Sequence, residues 1–302
     1  MVKKAAVFSG CLWLVLSSVE YLFDTAFSRG TFYKQQWVNS FQNESFDLVI
    51  LGSSRSLTTI DTGAIQEKSG LRVVNLSLDG SSPFDQLCLL KLFLENGNTF
   101  KQILLQVDHW VPDSEGPSVH TRRFFHPFRD RVSLQPVLSR TNSDESWAQA
   151  AIGDLPMIGY AKWNAYWSVD KLFNSVFNFQ APPFDHFGSY LVDRSLDPQK
   201  SRTTSVPKNT KLNLNVIDEI LSVCQKERIV VHMFTAPWLN RTSKGSWNEM
   251  RDQFKSRCSR YHDFGDLYQN QDDLFYDGGH LNQRGAVLFT DELINLIGYS
   301  SV

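Results

Sequence analysis

The chain lacks the features that mark metal-binding, disulfide-linked and nucleic-acid-binding proteins. Its four cysteines form no CxxC pair and stand in no zinc-binding spacing with histidine; they are Cys11, Cys88, Cys224 and Cys258. A disulfide framework is not expected in a chain of 302 residues. The formal net charge is only -2, which offers no attraction to nucleic acid. We therefore expect a globular protein with no metal and no nucleic-acid partner.

One long apolar run stands at the N-terminus. Lys3 and Lys4 precede the uncharged residues 5–19, and Glu20 ends the run. Because the run is shorter than the ~20 residues of a comfortable membrane-spanning helix, a cleaved signal peptide and a buried amphipathic helix are alternatives to an anchor. We favour a single-pass anchor over residues 1–28, which places residues 29–302 outside the cytoplasm.

Short apolar runs alternate with helical patterns through much of the remaining chain. The runs predict strands over 46–51, 71–78, 102–108 and 229–235. The helical patterns predict helices over 61–70, 83–96, 211–228, 246–258 and 282–298. Such alternation is typical of βαβ units, so we expect an α/β fold with a parallel sheet.

The alternation breaks between about residues 111 and 210. This stretch is rich in aromatic, proline and polar residues and contains no internal repeat. We interpret it as a long, partly helical insertion on the loop face of the sheet.

The segment "LVILGSSRSL" (49–58) places Ser54 just after a predicted strand and a glycine. A turn serine fits this pattern. A serine delivered to the carboxyl edge of a parallel sheet also fits, and that edge is where α/β folds bind ligands. Such a serine becomes a nucleophile only when a base takes its proton and donors hold the oxyanion.

A candidate base lies far downstream in "FYDGGHLNQRGA", where Asp277 and His280 are separated by two glycines. This spacing lets the carboxylate fold back onto imidazole Nδ1 and leaves Nε2 free to face a serine. A capping role for Asp277 and a backbone-bonding role for His280 are the structural alternatives.

Three segments together resemble the SGNH/GDSL hydrolase superfamily: "LGSSRS", "VVNLSLDGSS" and "YDGGHLNQRGA". The resemblance makes Ser54 the nucleophile, with Ser53 replacing the family's aspartate, and makes Asp277 and His280 its partners. Gly80 matches the glycine whose N–H joins that of Ser54 in the oxyanion hole. The family's third block is missing.

Asp108 stands near the place of the asparagine in that third block. An ionised carboxylate offers only acceptors, which leaves the oxyanion hole to the two backbone N–H groups. We expect Asp108 to order a loop or lie at the edge of the site. Arg55 has two interpretations, pairing with a carboxylate or binding a substrate anion.

The resemblance implies a three-layer α/β/α fold over roughly 46–110 and 210–298 and no organic or metal cofactor. It also implies a serine-dependent acyl-ester enzyme, either an esterase or an acyltransferase. The "GSSRS" variant with an N-terminal anchor is most similar to bacterial inner-membrane members that act on cell-surface glycans outside the cytoplasm. An acylated glycan or acyl donor, and a membrane-bound acyltransferase or envelope protein, would be the partners. A non-catalytic scaffold of a polysaccharide or envelope assembly is the alternative.

Overall fold

The computed structural model describes residues 2–108, 116–140, 155–177, 183–196, 204–205, 214–239, 241–242 and 244–298. The chain divides into two compact units. The first comprises residues 1–42, 91–96 and 114–182, and the second comprises residues 43–90, 97–113 and 183–302. Each unit is considered by itself below.

Helices and strands alternate along the chain as the sequence predicts. The helices are α1 (Val2–Arg29), α2 (Lys34–Ser40), α3 (Ser54–Leu57), α4 (Thr62–Ser69), α5 (Pro83–Glu95), α6 (Val119–Phe124), α7 (Gln135–Leu138), α8 (Ile158–Lys162), α9 (Val169–Phe177), α10 (Asn215–Lys226), α11 (Lys244–Arg257) and α12 (Gln283–Gly298). The strands are β1 (Ser45–Leu51), β2 (Val73–Asn75), β3 (Thr99–Gln106), β4 (Thr204–Ser205), β5 (Val230–Thr235), β6 (Arg241–Thr242) and β7 (Tyr261–Asp263). Single 3₁₀ turns lie at His126–Phe128 and Asp272–Leu274.

The second unit contains a five-stranded parallel sheet in the order β2-β1-β3-β5-β7. The predicted α/β class with a parallel sheet is therefore confirmed. Strand β1 is an interior strand, and Ile50 lies opposite Asn75 on one side and Leu104 on the other. From β1 the chain adds β2 on one side and the later strands on the other, so the topological switch point lies between β1 and β3. The crevice beyond the carboxyl ends of those two strands is the usual ligand site of such sheets.

Two of the strands depart from the sequence predictions. The predicted strand 71–78 is regular only over β2. Beyond it the N–H of Ser77 donates to the Asn75 side chain at 3.0 Å, while the N–H groups of Leu76 and Leu78 still donate to the carbonyls of Ile50 and Gly52. Strand β7 was not predicted, since "YHD" contains no apolar run that would distinguish it from a loop. Tertiary pairing with β5 creates it.

The core of the second unit packs helices α4 and α12 against the sheet. Leu48, Ile50 and Leu104 of the sheet share a buried cluster with Ile65 of α4 and Phe289 of α12. Helix α4 begins as predicted, because the Asp61 side chain accepts the N–H of Ala64 at 2.9 Å. The cluster packs α4 and α12 against the face of β1 that carries Leu48 and Ile50.

The first unit joins the predicted anchor to described parts of the predicted insertion. Helix α1 is long and apolar enough to cross a membrane, and its most apolar window is not buried within the structure. At its C-terminal end, Phe27 packs with Tyr160 and Trp167 in a buried aromatic cluster. Arg129 binds both carboxylate oxygens of Asp24, at 2.7 and 2.9 Å, and so ties this end to the unit.

A buried histidine in β5 makes the second unit sensitive to acid. His232 lies opposite Leu104 in the sheet, and its ring nitrogens have no hydrogen-bond partner among the described residues. Burial, reinforced by the positive charge of Arg260 and by His262, lowers the pKa of His232 to about 4. The unfolded chain, with an ordinary histidine pKa of about 6.5, therefore takes up the proton first as the pH falls.

We expect the free energy of unfolding to drop between about pH 6.5 and pH 4, with about 2 kcal/mol of the drop between pH 7 and pH 5 due to His232. Replacing His232 by phenylalanine removes the titrating group and should flatten this dependence by that amount. Urea unfolding at the two pH values measures the difference. An equal drop in wild type and variant would assign the acid sensitivity to other groups.

Candidate active site

The turn after β1 presents Ser54 at the carboxyl edge of the sheet. Gln106, at the end of the neighbouring strand β3, accepts both the N–H and the hydroxyl of Ser53, at 2.9 and 2.8 Å. A side chain on Gly52 would bring its Cβ within 2.6 Å of the Gln106 Cβ. The glycine is therefore needed for the chain to pass so close to β3, and Ser54 follows as the first residue of α3.

The loop that carries Asp277 and His280 is closed at its base. Phe275 and Leu281 form an antiparallel bridge, and the N–H of Tyr276 donates to the His280 carbonyl at 3.1 Å. The sequence predicted a tight backbone at the paired glycines. Among described residues, neither glycine takes a positive φ; a Cβ on Gly279 would instead lie 3.1 Å from the Trp238 ring. Gly279 thus supplies space for close packing.

Ser54, His280 and Asp277 lie in one hydrogen-bonded line. The Ser54 hydroxyl is 2.8 Å from His280 Nε2, although the two residues are 226 positions apart in the chain. His280 Nδ1 is 2.8 and 3.0 Å from the two carboxylate oxygens of Asp277. The structure therefore brings together all three residues that the sequence placed in the catalytic site, with the imidazole between hydroxyl and carboxylate.

The carboxylate of Asp277 is held in its ionised form. Burial alone would raise its pKa, but the hydrogen bond from His280 and the backbone N–H groups of Gly279 and His280 outweigh burial and lower it. An ionised Asp277 accepts a hydrogen bond from Nδ1–H, which fixes the tautomer in which Nε2 is free to take the proton of Ser54.

Tyr276 forms a wall beside the imidazole. Its ring stacks on His280 with centroids 5.4 Å apart and planes only 12° from parallel. The Arg194 guanidinium also lies over the Tyr276 ring, 5.1 Å from its centroid. Burial raises the pKa of Tyr276, so its hydroxyl stays protonated at neutral pH. An aromatic ring thus borders the imidazole, and an exposed cation lies over that ring.

Gly80 lies in a turn that is hydrogen-bonded to the start of the loop that carries Ser54. The N–H of Leu78 and the hydroxyl of Ser81 both donate to the Gly52 carbonyl, at 3.1 and 3.0 Å. Gly80 itself has a φ of +63°, which favours glycine at this position. Within the described residues, the N–H groups of Ser54 and Gly80 have no hydrogen-bond acceptor. Both predicted oxyanion donors are therefore available to a ligand.

Arg55 pairs with the carboxylate of Asp108. Of the two roles that the sequence left open for Arg55, this is the pairing with a carboxylate. Both side chains are largely buried, with exposed fractions of 5% and 14%. The other oxygen of Asp108 accepts the side-chain amide of Gln106 at 2.8 Å. Asp108 is consequently not an isolated anion. It belongs to a hydrogen-bonded network in which Arg55 balances its charge.

The same guanidinium connects the turn that carries Ser54 with the loop that carries His280. Arg55 Nε donates to the Gly279 carbonyl at 2.9 Å, and Nη2 donates to the carbonyls of Ala236 and Pro237 at 2.6 and 2.7 Å. Its carbon centre lies 3.7 Å from the centroid of the Trp238 ring. Arg55, the residue after Ser54, is therefore bonded directly to Gly279, the residue before His280.

Sequence reasoning missed three residues that shape this site: Gln106, Trp238 and Tyr276. Gln106 had a usable signal, because a polar residue at the end of a buried strand must find a partner. Tyr276 directly precedes Asp277 but has no spacing that marks it. Trp238 carries no local signal, since its role depends on Arg55 reaching it from another part of the chain.

The C-terminal part of the predicted insertion packs beside the site. Within residues 183–196, the Phe187 carbonyl accepts the N–H of Asn75 and the Tyr190 N–H donates to the Leu57 carbonyl, both at 2.9 Å. Residues 109–115 and several further stretches of the insertion lie outside the described residues.

The described residues contain no cluster of histidine, cysteine, aspartate and glutamate suited to a metal ion. The chemistry available is that of a hydroxyl, an imidazole and a carboxylate in line, together with the N–H groups of Ser54 and Gly80, which donate to no described residue. Comparisons of the chain with protein-family models, with curated proteins and with solved structures found no match.

Proposed function

We propose that the chain is a serine-dependent acyl-ester enzyme of SGNH/GDSL type, an esterase or an O-acyltransferase. One observation carries this proposal: the Ser54 hydroxyl, His280 and Asp277 are connected by contacts of 2.8 Å at the ligand-binding edge of the sheet. A turn serine and a capping aspartate would not require an imidazole between them. The arrangement is that of an activated nucleophile.

Each residue has a defined part in the reaction. Ser54 Oγ attacks the acyl carbonyl while His280 Nε2 takes its proton, and the carbonyl electrons move onto oxygen. The N–H groups of Ser54 and Gly80 hold this oxyanion. His280 then protonates the departing alkoxide, leaving an acyl-Ser54 ester. Water or an acceptor hydroxyl, deprotonated by His280, releases the acyl group and regenerates the serine.

The fold supports the same proposal. If the five strands of this sheet are numbered from 1 to 5 in chain order, their order across the sheet is 2-1-3-4-5. This is a doubly wound arrangement, with its crevice where Ser54 lies. Leu48 and Ile50 on one face of β1 and Val49 and Leu51 on the other are all fully buried. Since both faces of the sheet are covered, we propose three α/β/α layers.

We further propose that α1 anchors the protein in a bacterial inner membrane and that the enzyme domain is extracytoplasmic. The length and apolar character of α1 and the two lysines at its start support this orientation. In that compartment the substrate is an acylated cell-surface glycan or an acyl donor. A membrane-bound acyltransferase or an envelope protein is the corresponding protein partner.

A fluorophosphonate probe tests the enzyme proposal, because it modifies only an activated serine. The full-length protein should be labelled once, and Ser54→Ala should abolish the label. Ser53→Ala is the matched control. The Ser53 hydroxyl bonds Gln106 and not the imidazole, so this variant should keep the label on Ser54. A folded wild-type protein that takes no label would favour the non-catalytic scaffold instead.

A further inference from the structure

A short segment beside the site is tied by its backbone to α3 and to α12. The Tyr190 N–H donates at 2.9 Å to the carbonyl of Leu57, the last residue of the helix that begins at the nucleophile. Two residues later, the Val192 carbonyl accepts the N–H of Gln283, the first residue of α12, at 2.8 Å. The chain that leads to Arg194 is therefore fixed to both elements that flank the catalytic line.

Arg194 extends from this segment to the wall of the site. Its side chain is exposed, whereas Leu196, two residues later, packs against the core of the unit. The guanidinium carbon lies 5.1 Å from the Tyr276 centroid, and that centroid lies 5.4 Å from the centroid of His280. The guanidinium is consequently no farther than about 10.5 Å from the imidazole that takes part in the reaction.

The charge of Arg194 is not neutralised within the described part of the chain. There its guanidinium contacts the Tyr276 ring but forms no ion pair and donates to no acceptor. An aromatic face leaves the N–H groups of a guanidinium free, and their planar fork matches the two oxygens of a carboxylate or a phosphate. An anion is therefore the ligand that this side chain is suited to bind.

The other exposed charge near this wall restricts where such an anion can lie. Asp79 acts on Tyr276 and belongs to the turn of Gly80, one of the two proposed oxyanion donors. Its carboxylate repels an anion on that side of the site. The Arg194 side consequently remains the favourable place for an anionic group.

The proposed reaction relates the Arg194 side to one part of the substrate. His280 Nε2 protonates the departing alkoxide, so the alcohol portion of the ester lies against the imidazole. We infer that Arg194 binds a carboxylate or phosphate group on that portion, either on the sugar that carries the ester or on its neighbour. The inference rests on the proposed function and specifies its substrate class as an anionic glycan ester. Arg194 is then a specificity-determining residue and takes no part in the bond-breaking steps.

Protection of Ser54 from a fluorophosphonate probe tests the inference in the full-length protein. The labelling rate is measured without sugar and with each of three sugars that differ at one position: methyl glucoside, methyl glucuronide and methyl glucoside 6-phosphate. The variants are Arg194→Gln and Arg194→Lys, with Arg284→Gln as the control because Arg284 is exposed but already paired with Asp273 at 2.8 Å. Each rate is divided by the same protein's rate without sugar, which removes any change in the reactivity of the serine itself.

The glucuronide or the 6-phosphate should protect the wild type at about tenfold lower concentration than the neutral glucoside, the effect of one charge-assisted hydrogen bond. Arg194→Gln should abolish this preference, Arg194→Lys should keep part of it, and Arg284→Gln should keep all of it. Preference for the glucuronide identifies a uronate substrate, and preference for the 6-phosphate identifies a phosphorylated glycan; either result supports the inference.

Two other outcomes would contradict the inference, and they separate it from the enzyme proposal. A labelled wild type that the three sugars protect equally, or not at all, would overturn the role of Arg194 and leave the activated serine standing. A preference for the anionic sugars that survives in Arg194→Gln would have the same consequence. A folded wild type that takes no label would overturn the proposed function and the inference together.

Discussion

Replacing Asp277 by asparagine is expected to lower kcat by roughly 10⁴-fold without unfolding the protein. The asparagine oxygen can still accept the N–H groups of Gly279 and His280, so the loop keeps its shape. Its amide nitrogen would face His280 Nδ1, however, and would favour the tautomer protonated on Nε2. That nitrogen would then donate to Ser54 rather than accept its proton.

Steady-state hydrolysis of a nitrophenyl ester and a thermal melt measure this effect and its specificity. Asp273→Asn is the matched control, because Asp273 lies in the same segment but forms an exposed ion pair with Arg284. It should retain wild-type kcat. Combining Asp277→Asn with Ser54→Ala should cost little more than Ser54→Ala alone, since the residues act as one unit. Unchanged kcat in a folded Asp277→Asn protein would remove Asp277 from the mechanism.

The second large effect is expected at Asp108, where Asp108→Asn should lower the free energy of unfolding by about 3 kcal/mol or more. The substitution leaves the Arg55 guanidinium buried without its counter-ion. Arg55 also contacts the Gly279 carbonyl, so loss of its position should reduce kcat as well. The sequence alone predicted that Asp108 orders a loop or lies at the edge of the site; the ion pair with Arg55 adds a stabilising role.

A double-mutant cycle separates the ion pair from other contacts. Arg55→Met combined with Asp108→Leu removes both charges and should be more stable than the sum of the two single losses predicts. The exposed pair Lys68–Asp291 is the control, because Asp291→Asn should change stability by less than about 1 kcal/mol. Additive losses at Arg55 and Asp108 in urea unfolding would mean that their pairing contributes nothing to stability.

The sequence by itself determined those features whose causes lie within a few residues. The apolar run of β1 ends at Gly52 and delivers Ser54, the Asp61 side chain caps α4, and the spacing of Asp277 and His280 allows their contact. Each depends on side-chain periodicity, on a capping oxygen or on a three-residue loop.

The tertiary structure alone decided which distant residues meet. Ser54 and His280 are 226 positions apart, and only the order of the strands brings their loops to one edge of the sheet. The choice of Asp108 as the partner of Arg55 and the pairing that creates β7 have the same origin. No local pattern encodes such contacts, because burying two chain segments together depends on the packing of the whole sheet.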